Sequence, residues 1–72
     1  MGQGEVMKVL EGFDKPVAIG EIAAMLPDLN KKRIHVIINC LMIFHEVKCI
    51  EIPRDLAMKM YHVKRRMRLY YC

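Results

Sequence analysis

The 72-residue chain contains neither serine nor threonine. This absence removes the common hydroxyl nucleophiles and leaves phosphorylation of those residue types without an acceptor. The chain also has no glycine-rich phosphate loop and no HExxH pair of metal-binding histidines. A Cys–His pair, Cys49 with His45 or His62, remains as a formal nucleophile, but a domain this small has no deep pocket to shield it from water. Neither enzymatic activity nor a cofactor is expected. The three cysteines are an odd number without a framework spacing, unlike a disulfide-stapled secreted domain. Cys40 and Cys49 fall among apolar residues and are expected to be reduced core side chains, with Cys72 open to oxidation. Cys40, His45 and Cys49 have metal-like spacing but no CxxC knuckle, so no metal is expected. The longest uncharged run, Ile34 to Phe44, falls well short of the ~20 residues that span a bilayer. Met1 to Val9 lacks the charged-then-apolar order of a signal peptide, and Val6 stands where a myristoylated terminus requires Ser or Thr. The expectation is a cytoplasmic protein with no membrane partner.

What the chain does have is apolar surface and an uneven charge. The apolar fraction is 54%, against a usual ~45–50%. That excess excludes intrinsic disorder and implies apolar surface left for a partner, a second copy of the chain included. The net charge is +4, and it is divided. Residues 1–29 carry two lysines against five carboxylates, a net of −3; residues 30–72 carry ten Lys or Arg against three carboxylates, a net of +7. A basic half of this kind suits phosphate.

No repeat or linker divides the chain, so residues 1–72 read as one domain. Val6, Val9, Leu10 and Phe13 recur at i, i+3, i+4 and i+7, the stripe of a helix over residues 3–13, ended by Asp14-Lys15-Pro16. Ile19, Ile22, Ala23 and Leu26 share one face of a second, short helix that Pro27 stops. Asn30 is a favoured N-cap for a third helix over Lys31 to Phe44, with Ile34, Ile37, Ile38 and Leu41 as its apolar stripe. Its β-branched residues keep a strand over 34–38 open as a rival. Val47 to Ile52 alternates like a strand, and Met67 to Tyr71 is a second strand. Between them, Asp55 is a candidate cap for a short helix through Met60, with a hairpin as the alternative.

This order resembles the winged helix-turn-helix fold of small stand-alone transcription regulators of bacteria, archaea and their viruses. The resemblance covers nearly the whole chain and rests on GEIAAMLPDLNKKRIHVIINCL. Ala23 stands there at the small-residue position where two helices cross, Ile34, Ile38 and Leu41 at the apolar positions of a recognition helix, and Val47 at the start of the wing strand. The chain departs from the pattern at Ala18, where such domains often have a Ser or Thr cap. It departs again at Pro27-Asp28-Leu29, which lacks the glycine of a repressor-type turn. The resemblance implies an α+β fold, a three-helix core followed by a two-stranded antiparallel wing.

It further implies sequence-specific binding of double-stranded DNA, with the helix over residues 30–44 in the major groove. Lys31 and Lys32, at its N-terminus, would face phosphate. Arg33 would reach a phosphate or pair back with Glu21 or Asp28. Asn39 is placed for an adenine edge, His35 for a guanine and Val36 for a thymine methyl. Lys64, Arg65, Arg66 and Arg68 lie where a wing would be, suited to the backbone or an AT-rich minor groove. Such regulators act as homodimers with their reading helices about 34 Å apart. The first helix, or a face bearing Met42, Ile43, Met58 or Met60, would make that contact.

Plainer readings stand beside these. Charge runs are usually solvated faces, and Met7, Met25 and Met67 suit gaps in a small core. Tyr61, Tyr70 and Tyr71 read as packing residues; of the adjacent pair, one should be core and one exposed, since neighbours on a strand point oppositely. A protein-interaction domain of the same fold, within a larger complex, is the alternative function, and RNA is a third partner class.

Overall fold

In the computed structural model, which describes residues 2–72, each expected stripe becomes one wall of a core. Val6 and Leu10 are the buried residues of α1 (Gln3–Gly12), Ile22 that of α2 (Ile19–Met25), and Ile34, Ile37, Ile38 and Leu41 those of α3 (Lys31–Ile43). The described residues also form β1 (Lys48–Ile52), α4 (Arg54–Tyr61) and β2 (Met67–Tyr71). The protein is thus α+β, with four helices and a two-stranded antiparallel sheet among the described residues. Both the strand rival at residues 34–38 and the hairpin alternative around α4 give way to helix.

The two sheet faces serve different cores. Cross-strand partners share a face, and Cys49 pairs with Tyr70 on the side toward α1–α3, where Tyr70 is buried with Val17, Val47 and the α3 stripe. The opposite face presents Ile52, Leu69 and Met67 to a smaller cluster closed by Ala18 and Ala57. Val17 adds a bridge outside β2, exchanging backbone hydrogen bonds with Tyr70 at 2.9 and 2.7 Å.

Helix termini follow local chemistry. The Asn30 side chain accepts from the Arg33 N–H at 2.7 Å, satisfying one of the amides that the start of α3 leaves orphaned. At its other end, the His45 N–H reaches the Met42 carbonyl at 3.0 Å and the Glu46 N–H reaches the Leu41 carbonyl at 2.9 Å. This is a Schellman closure with His45, at φ 60°, in the left-handed position that usually belongs to glycine. His62, at φ 59°, ends α4 in the same conformation. Gly2 precedes α1 at φ 102°, and a Cβ there would lie 2.9 Å from Ile37 Cδ1.

Several expectations are corrected. Asp55 is not the cap of α4: Pro53 holds that position, and Asp55 falls in the first turn. Pro53, with its fixed φ, is the single residue that links β1 to α4. Val47 is buried but lies just outside β1. Alternation within β1 fails at Ile50, which is exposed on the face where its partner Leu69 is buried, because α4 covers only part of that face. Met25 is exposed rather than a core filler, since it lies about 110° around α2 from the centre of the Ile19, Ile22, Ala23 and Leu26 stripe. Cys40 and Cys49 are free thiols but half-buried, and Tyr71 is half-buried beside the buried Tyr70.

Two substitutions test the termini by urea denaturation. Asn30→Ala should lower stability by about 1 kcal/mol. His45→Gly should raise it by about 0.5–1 kcal/mol by relieving the left-handed backbone.

Candidate functional site

At 100° per residue, burying Ile34, Ile37, Ile38 and Leu41 turns the rest of α3 outward, and its flanks meet different neighbours. Lys31, His35 and Asn39, at i, i+4 and i+8, line one wall of a groove of about 670 Å³. Arg65, Arg66 and Arg68, from the segment that leads into β2 and from β2 itself, line the same groove. The first turn of α2, including Glu21, and Tyr61 from the last turn of α4 line the groove as well. Residues more than twenty positions apart in the chain thus share one cleft, brought there by the Val17–Tyr70 bridge between the start of α2 and β2.

Six of the ten sequence-proposed residues therefore converge: Lys31, His35, Asn39, Arg65, Arg66 and Arg68. Lys32 and Val36 lie on the outermost crest of α3, opposite the buried stripe, and both are exposed. Lys64 is exposed beside Arg65 but does not line the groove. Arg33 falls on the far flank of α3 with Cys40, whose sulfur accepts from Gln3 Nε2 of α1 at 3.3 Å. It forms no ion pair with Glu21 or Asp28.

The groove holds four cations against two carboxylates, Glu21 and Glu51. Arg66 Nη1 lies 3.9 Å from Glu51 Oε1, with the two side chains 76% and 53% exposed, and Arg68 sits directly across the strands from Glu51. A long, solvated pair of this kind is worth little, so the arginines stay available to an anion. Glu21 lines the groove together with Tyr61. The Tyr61 hydroxyl is pushed up to about 12, first by burial, then by its hydrogen bond to the Glu21 carboxylate and by the negative charge there. Tyr61 is therefore a neutral donor throughout the physiological range. From sequence, Tyr61 reads only as packing and Glu21 only as a possible partner of Arg33; forty residues separate them, and no spacing signal connects them.

Among the described residues, no three His, Cys, Asp or Glu side chains converge as metal ligands would, Cys40, His45 and Cys49 included. No helix among them is long and apolar enough to cross a membrane. No family model matches the chain, and neither a curated protein nor a solved structure does.

Because the fold favours the protonated Tyr61, its contribution to stability is complete below pH 10 and is lost as pH climbs through about 12. An alkaline absorbance titration should show one tyrosine ionising near pH 12, and Tyr61→Phe should delete that step. A high-pH limb that survives the substitution contradicts the assignment.

Proposed function

We propose that the chain binds double-stranded DNA as a transcription regulator of winged helix-turn-helix type. The observation that carries this reading is the convergence of Lys31, His35 and Asn39 on α3 with Arg65, Arg66 and Arg68 in the lining of one open groove. A helix about 10–12 Å across fits the ~12 Å major groove. With α3 seated there, the arginine wall falls against the flanking backbone. Lys31 and Lys32 meet phosphate near the helix N-terminus, and Asn39, His35 and Val36 reach toward base edges. Further support comes from the element order, which is compatible with a winged-helix layout, with α4 inserted where a wing would have its tip. The charge division supports it too, since residues 30–72 gather a net +7 while residues 1–29 carry −3.

Two copies on a pseudo-palindromic site would place their reading helices about 34 Å apart. The surfaces left for that contact are an apolar hollow of about 380 Å³ between α1 and α2, lined by Val9, Phe13, Met25 and Leu26, and the exposed Met58 and Met60 of α4.

One observation favours the second reading, a protein-interaction domain in a larger complex. Val36, Ile43 and Phe44 are 59%, 73% and 67% exposed along the outer side and end of α3, and a contiguous apolar patch commonly marks a protein partner.

The readings separate on salt. If about six phosphates are neutralised, log K for random duplex falls with log salt at a slope near −5. Lys32→Ala with Arg65→Ala should weaken binding to all sequences alike and flatten the slope by about 2. Asn39→Ala should relax sequence preference while keeping the slope. Duplex retention insensitive to salt, or absent at low salt, contradicts the DNA reading, and preference for an RNA duplex redirects it.

A further inference from the structure

The sheet register sets a carboxylate among the arginines of the groove. On the face that carries Cys49 and Tyr70, the next cross-strand pair is Glu51 and Arg68, directly opposed. Cys49 and Tyr70 pack in the main core, whereas Glu51 and Arg68 are exposed and line the groove. Arg66 stands outside the ladder, just before β2, and its Nη1 lies 3.9 Å from Glu51 Oε1. At 76% exposure the Arg66 side chain is free to swing toward an incoming anion, because a long, solvated pair costs little to break. The carboxylate has less freedom. Its backbone is held in the ladder opposite Arg68, so a phosphate drawn to Arg66 and Arg68 also approaches Glu51.

We propose that Glu51 is a built-in counter-anion of the groove: placed between Arg66 and Arg68, it offsets their charge and limits how tightly the groove holds a polyanion. The role rests on the reading of this groove as a polyanion site, whichever polyanion fills it. A carboxylate at contact distance from a phosphate subtracts about fivefold in affinity, the weight of one unit charge in water. Sequence-independent binding to duplex is almost wholly electrostatic. With part of that attraction cancelled by Glu51, base contacts from α3 decide a larger share of the affinity that remains.

The test compares two charge-removing variants of the full chain. Glu51→Gln keeps the side-chain shape and removes the charge. Glu11→Gln, on α1, makes the same change in net charge at an exposed residue outside the groove lining. In the first arm, binding to a random-sequence duplex is measured across a range of salt. Glu51→Gln should bind about fivefold more tightly at low salt, with the slope steeper by about 0.9, as if one more phosphate were neutralised. Glu11→Gln should match the wild type, since salt screens a distant charge. Where duplex is bound, unchanged or weaker binding by Glu51→Gln overturns the proposal. An equal gain in Glu11→Gln overturns it too, because net charge alone would then be the cause. The second arm replaces nucleic acid with heparin, a sulfated polyanion. Glu51→Gln should elute from a heparin column at higher salt than the wild type and Glu11→Gln; co-elution of the three overturns the proposal. If no variant binds duplex in a salt-sensitive way while the heparin shift is present, the DNA reading falls and the role of Glu51 stands.

Discussion

Val17 and Tyr70 exchange two backbone hydrogen bonds, at 2.9 and 2.7 Å, and the arrangement of the molecule depends on that exchange. Val17 lies in the extended link between α1 and α2, and Tyr70 lies in the last strand. Their bridge brings the end of the chain back against the start of α2. Both side chains are buried, Val17 completely, so a pairing of only two residues sits inside the core, where water cannot compete for its bonds. With β2 fixed there, Arg68 and the segment before it must stand on the same side of the molecule as the exposed flank of α3.

From this constraint the charge arrangement follows. Most of the cations in the basic portion come from α3 and from the stretch between α4 and β2, and the bridge sets several of these across one groove. Little of that charge is cancelled internally. The single ion pair among the described residues is long and solvated, and five of the eight acidic residues lie in α1, in α2 and in the turns on either side of α2. Helix geometry supplies the rest: burying four residues of α3 on one stripe turns Lys31, His35 and Asn39 to the groove and Lys32 and Val36 to the crest. The same rotation leaves Arg33 on the α1 side.

Much of this was legible in the residues. Period-3.6 stripes, the Asn30 cap and the break at Pro27 marked α1, α2 and α3 to within a residue or so, because each signal is local. MRLYY gave β2 its full extent. Failures came where tertiary context decided. Asp55 looked like a cap, but Pro53 had already set the backbone for α4. Met25 looked like a filler, but its angle around a seven-residue helix carried it out of the core. For the candidate site, the basic runs were visible as charge, whereas the meeting of α3 and residues 65–68 in one groove depends on a long-range bridge that no periodicity encodes. The exposed Ile43 and Phe44 had no signal beyond lying off or beyond the α3 stripe.

One face of the molecule, the exposed flank of α3 together with the residue 64–68 wall, is proposed to meet duplex DNA, and on this contact the functional reading stands. Chemical-shift mapping of isotope-labelled protein titrated with a random-sequence duplex at low salt tests it most directly. Perturbed amides are expected at residues 31–39 and 64–68, reversed by added salt, with α1 and the exposed side of α4 unaffected. Shifts centred instead on Ile43, Phe44 and α4, or a spectrum unchanged at saturating duplex, would contradict it.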